Sequence, residues 1–162
     1  MSDSDINSPP SVVIEAFTSA AITTLQELIS VEAHFEHCQL GGKVKTEEPN
    51  VVAAICLRRE HPGSMQLILA PETASQLAAH YLPTGTVLTE EIIDDVAGEF
   101  ANVIAGQAKT LLKGTTSHFQ LATPVVTRTF EFGASLDPNK AVLLTLQTTT
   151  LGQIRMAIIL PP

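Results

Sequence analysis

The chain has 162 residues, enough for one ordinary hydrophobic core and with nothing in its length that asks for a second domain. With 44% hydrophobic and 16% charged residues it stands well away from the composition of a disordered chain. The 17 acidic residues outweigh 9 basic ones, giving a formal net charge of −8; with no clustered Lys/Arg run, this argues against nucleic acid or an anionic membrane as the main partner.

Residues 1–10, MSDSDINSPP, lack the basic-then-apolar order of a signal peptide and end in two prolines. They are expected to form a flexible N-terminal arm ahead of a single domain over 11–162. No apolar run is expected to reach membrane-spanning length, so a cytoplasmic protein is the expectation. In SVVIEAFTSAAITTLQELI, Val13, Phe17, Ala21, Leu25 and Leu28 recur at helical intervals, with Ser11 as a candidate N-cap. From Ala33 to Lys45 the pattern is weaker and reads as a strand interrupted by Gly41 and Gly42. His34, His37 and Cys38 fall here, but on a strand the two histidines would point oppositely, so no metal site is assigned. VVAAICLRR and SMQLILA read as an antiparallel pair joined by the turn-rich EHPG. Cys38 and Cys56 have neither zinc-like nor redox-motif spacing and are expected to be reduced thiols.

PETASQLAAHYL fits a short helix with Pro71 near its start and Ala74, Leu77 and Tyr81 on one face; Pro83 and Gly85 stop it. A longer helix is expected from Thr89, which caps free amides, to Lys113 and Gly114, a cation and a left-handed C-cap residue. FQLATPVVTRTFEF then reads as strand with Pro124 at an edge or bulge, and Asp137, Pro138 and Asn139 as a turn. AVLLTLQT and QIRMAIIL flank TTLG as a hairpin. The order helix, strands, helices, strands predicts an α+β domain with helices packed on a largely antiparallel sheet.

At about 100° per residue, Ile93, Phe100, Ile104 and Leu111 gather on one side of the long helix, with Ala97 and Ala108 beside them, and predict its core contact. Asp95, Glu99, Asn102 and Gly106 gather nearly opposite. Residues three apart are surface neighbours, so Glu99 and Asn102 are able to engage one small target together, Glu as an ionised acceptor and Asn as both donor and acceptor. Gly98, Gly106, Ala101 and Ala105 are expected to keep this surface low enough for a partner backbone to approach. Adjacent Asp94 and Asp95 point about 100° apart, which argues against paired acid–base work.

The run EIIDDVAGEFANVIAGQAKTLL resembles the signature helix of the CheX and CheC family of chemotaxis phosphatases, whose motif is Glu, two variable residues and Asn. Glu99 and Asn102 occupy the motif, followed by Val103, Ile104 and Gly106 in the pattern usual for such helices. The resemblance runs loosely from Val13 to Leu160, with GSMQLILAP similar to the strand entering the short helix and ATPVV similar to the segment after the signature helix. CheC-like members often carry a second Glu and Asn pair on the first helix. Here that helix reads EAFT, with Thr18 three residues after Glu15, which resembles the single-site CheX arrangement.

The resemblance implies a CheX/CheC-like fold and a phosphatase whose substrate is a phosphorylated response-regulator receiver domain. It implies that Asn102 orients the attacking water, that Glu99 pairs with the receiver's invariant Lys, and that Asp95, Val103 and Gly106 belong to the docking surface. No cofactor is expected on this chain, with Mg2+ supplied by the receiver. The alternatives are a noncatalytic receiver-binding or scaffold protein, and a homodimer formed through a sheet edge such as the strand from Ile154 to Leu160.

Overall fold

The computed structural model describes residues 11–40, 50–128 and 141–160. The expected arm at 1–10, the Gly41–Gly42 pair and the turn at 137–139 lie outside these residues. Helix α1, Ser11–Ile29, buries Val13, Phe17, Ala21 and Leu25 as the periodicity predicts. Its last turn buries Ile29, while Leu28 is exposed, and Ser11 is a helical residue rather than the cap. Contrary to expectation, α1 is long and apolar enough, with 19 residues, to pass as a bilayer-crossing helix by length and composition. Its burial accounts for that composition, because its apolar stripe joins the core and packs chiefly against another helix, with further contacts to the sheet.

The strands are β1 (Ala33–Leu40), β2 (Val51–Arg58), β3 (Gly63–Leu69), β4 (Gln120–Leu121), β5 (Val125–Thr127), β6 (Ala141–Thr148) and β7 (Gln153–Ile159). Two further helices, α2 (Pro71–Tyr81) and α3 (Glu90–Leu111), lie between β3 and β4. The described strands form one sheet in the order β1-β6-β7-β3-β2-β4, every pair antiparallel, with β5 also pairing along β2. Strand alternation sends Val51, Ala53, Ile55 and Leu57 of β2 into the cluster that receives all three helices, whereas Val52 joins Ile68, Leu143 and Ala157 in a second cluster. This is the expected α+β architecture. The β6–β7 hairpin turns at Gly152, whose φ of 75° suits glycine and whose carbonyl accepts from the N–H and Oγ1 of Thr148.

Strand order corrects two expectations. The segment at 154–160 is not a sheet edge: β7 is hydrogen-bonded to β6 on one side and β3 on the other, so its backbone has no free row to offer a second copy. The edges among the described strands are β1 and the β4/β5 side. His34 and His37 do not point oppositely either. A register shift between Phe35 and His37 sets His34 opposite Gln147 and His37 opposite Thr145, two positions on the same face of β6. Cys38 and Cys56 are free thiols. Three strands separate β1 from β2, a span of about 19 Å at the usual strand spacing and far beyond disulfide reach.

Candidate functional site

Helix α3 starts where Thr89 Oγ1 accepts the N–H of Ile92 at 3.2 Å, with Glu90 and Glu91 in the first turn where the helix dipole favours them. At the other end the N–H of Leu112 bonds the carbonyl of Ala108, and Gly114 follows with φ 84°. Its buried stripe runs Val96, Ala97, Phe100, Ala101, Ile104, Ala105 and Ala108. Tyr81 stands edge-on to Phe100 with centroids 5.4 Å apart, tying α2 to α3 while remaining partly exposed. Leu111 departs from its expected place in the core. It is 54% exposed, because the last turn contacts the core through Ala105, Ala108 and Leu112 instead.

The opposite face carries Asp95, Glu99 and Asn102, all exposed, with Val103 and Gly106 half-buried. Asp95, Glu99 and Asn102 line a cleft of about 620 Å³ whose far wall runs from β4 to β5, with Leu121, Thr123, Pro124 and Val126. Val103 and Gly106 are outside this lining. Asp95 and Glu99 also border a smaller depression of about 420 Å³ with Tyr81, Leu82 and Ile92, so these two carboxylates stand between two hollows.

The small residues of α3 have a different task from the one expected. A methyl group on Gly98 would lie 3.7 Å from both Pro124 Cβ and Val126 Cγ2, and one on Gly106 would lie 3.9 Å from Leu121 Cδ1. Ala101 and Ala105 are wholly buried. Gly98 and Gly106 thus face the chain's own β4–β5 segment, with room for a methyl group at ordinary contact, while Ala101 and Ala105 face the core, and that segment builds the cleft wall beside Asn102.

Asp94 does not face the cleft as a free acid. Its two carboxylate oxygens accept from Arg128 Nη1 and Nη2 at 2.7 and 2.8 Å, a bidentate pair that ties α3 to the end of the β4–β5 segment. Glu90 lies 3.9 Å from the same guanidinium. The hydrogen bond to Asp94 holds the Arg128 pKa above its ordinary value, against a smaller opposing effect of burial. The carbonyl of Arg128 accepts the N–H of Asn50 at 2.6 Å, which fixes the backbone at this point.

Asp95, Glu99 and Asn102 share one cleft, as their helical spacing predicts, and Arg58, which ends β2 and has no place in that prediction, lines it too. Only the pairing of Arg58 with Gln120 on β4 brings it there, and a pairing across more than sixty residues leaves no local signal. On α1, Glu15 and Thr18 border a separate apolar groove with Ile14, Ile22 and Phe35; Thr18 supplies a hydroxyl and no amide. Among the described residues no group of three or more His, Cys, Asp or Glu side chains is placed to hold a metal ion.

Residues 51–146 match the family model described as chemotaxis phosphatase CheX. No curated protein matches the chain. Among solved structures, a chemotaxis protein CheX from Desulfovibrio desulfuricans superimposes with a TM-score of 0.77 at 19% identity, covering 91% of this chain and 98% of that one. CheX from Vibrio vulnificus gives 0.74 at 20% identity, covering 91% and 97%. The CheX of a CheX–CheY–BeF3–Mg2+ complex from Borrelia burgdorferi gives 0.69 at 19% identity, covering 93% and 98%. At such identities these superpositions show a shared fold.

Proposed function

The chain belongs to the CheX family of chemotaxis phosphatases, and from that membership we propose that it hydrolyses the aspartyl phosphate of a response-regulator receiver domain. The observation that carries this reading is the joint exposure of Glu99 and Asn102 on one face of α3, lining one cleft. An acyl phosphate is already reactive toward water, so the catalyst gains most by holding that water in line with the leaving oxygen. The Asn102 amide does this by hydrogen bonding the water; it is too weak a base to take the proton itself. Glu99 pairs with a lysine beside the phosphosite and thereby sets the register of Asn102.

Asp95, one turn before Glu99, extends the negative ridge that meets the receiver, and Val103 and Gly106 flank it as half-buried parts of the docking surface. The Mg2+ of such a phosphosite belongs to the receiver. Here Asp94 is committed to Arg128, and no step is assigned to a metal on this chain. A CheX has been solved with CheY, BeF3 and Mg2+ in Borrelia burgdorferi, which supports a receiver as the partner class.

The test is the rate of phosphate release from phosphorylated receiver domains with wild-type protein and with Asn102→Ala and Glu99→Lys. Asn102→Ala is expected to lower kcat by roughly 100-fold or more with KM nearly unchanged, and Glu99→Lys to raise KM as well. Receiver binding without turnover, unaffected at Asn102, would instead identify a scaffold.

A further inference from the structure

The cleft poses an electrostatic problem. The chain carries a net charge of −8, and Asp95 and Glu99 line the cleft as open carboxylates. A phosphorylated partner brings further negative charge to the same place, and like charges meeting at short range weaken association. The cations on this side of the molecule are therefore decisive.

Most of them are engaged. Arg128 is bound to Asp94; Lys109 Nζ donates to Gln120 Oε1 at 2.7 Å; Arg59 Nη2 donates to the carbonyl of Thr116 at 3.1 Å. Arg58 differs. Its side chain is exposed, it lines the cleft with Glu99 and Asn102, and no hydrogen bond or ion pair joins it to any described residue. Its backbone is nevertheless well fixed, since Arg58 pairs with Gln120 and the preceding Leu57, wholly buried, pairs with Leu121. A guanidinium with no partner among the described residues, on a rigid root, suits recognition of an oxyanion, because its planar fork donates two parallel hydrogen bonds to phosphate or carboxylate.

We infer that Arg58 is a substrate-recognition residue of this cleft, its guanidinium binding an oxyanion of the docked receiver while Glu99 and Asn102 act beside it. The inference rests on the phosphatase reading and adds a cation to its site. The oxyanion is either the phosphoryl group or an acidic side chain next to it, and the two sources separate by experiment.

Dissociation constants are measured for wild type, Arg58→Ala and Arg58→Lys against a Mg2+-bound receiver domain with and without beryllium fluoride, which mimics the phosphoryl group. Phosphate release is measured alongside. Arg58→Ala is expected to raise Kd and KM on the order of tenfold with kcat within about twofold, and Lys to restore part of the loss. Loss confined to the beryllium fluoride form assigns the phosphoryl oxygens; equal loss in both forms assigns a receiver carboxylate. If wild type turns the receiver over and Arg58→Ala binds it equally well, Arg58 is a solvated strand-end charge and the inference is overturned alone. If wild type neither binds nor dephosphorylates a receiver, the phosphatase reading fails and takes this inference with it.

Discussion

Breaking the Asp94–Arg128 pair tests whether the cleft wall is held to α3 electrostatically. The two side chains are 28% and 39% exposed and meet through contacts of 2.7 and 2.8 Å. Unit charges about 4 Å apart are worth about 1 kcal/mol in water and about 4 kcal/mol at an effective dielectric of 20. Because more than a third of Arg128 is solvated, its value belongs near the lower limit, and ordering the side chain offsets part of the rest. A coupling of about 1 kcal/mol remains, equivalent to a shift of about 2–4 °C in Tm for a domain of this size.

The assay is a double-mutant cycle of Asp94→Asn and Arg128→Met by urea unfolding, at low salt and at 1 M NaCl, where screening reduces the coupling. Arg128→Met alone is expected to cost more than the double variant, since it leaves a half-buried carboxylate without its partner. The folded Arg128 pKa is raised, so its contribution is fully present below the ordinary guanidinium value and is lost only as pH rises through the higher folded one. The guanidinium contribution should therefore be flat from about pH 6 to 9. A coupling below about 0.3 kcal/mol at low salt would refute the reasoning.

Two glycines separate steric need from tolerance. A methyl group at Gly63 runs into the carbonyl oxygen of Ile159 on β7, so Gly63→Ala is expected to cost about 2 kcal/mol or more in urea unfolding. Gly98→Ala meets Pro124 and Val126 only at ordinary contact and should gain up to about 1 kcal/mol by the same measurement. The cysteines should differ in labelling by a thiol reagent, with exposed Cys56 reacting first and Cys38, whose thiol burial pushes up, lagging. That raised folded pKa makes stability fall as pH rises through the thiol range, and Cys38→Ala should flatten the decline in a pH series of urea melts. On the proposed pairing of Glu99 with a receiver lysine, Glu99→Lys sets two cations against each other and should weaken receiver binding by at least about tenfold in a titration.

The elements bounded by local chemistry were legible in the sequence. Thr89 caps α3 as expected, Gly114 follows it in the left-handed region, and Gly152 turns the last hairpin, because each depends on residues within a few positions. The exposed trio Asp95, Glu99 and Asn102 was legible for the same reason, since helical spacing alone places it. What escaped was set by distant pairing. Nothing near 154–160 says that β7 will lie between β6 and β3, and nothing near Arg58 announces β4 beside it. The one-residue slip in β1 reversed the expected relation of His34 and His37, since a strand has no sequence mark for a bulge as firm as glycine is for a turn. The glycines of α3 suggest room for a partner, yet the neighbours of Gly98 are Pro124 and Val126 of the same chain.

The measurement that bears most directly on the account is phosphate loss from a purified acyl-phosphorylated receiver domain in the presence of wild-type protein or Asn102→Ala, with binding of both followed in parallel. The account predicts accelerated loss with wild type, a fall to near the receiver's own rate with Asn102→Ala, and similar affinity for the two proteins. Undiminished acceleration by a folded Asn102→Ala protein would contradict it.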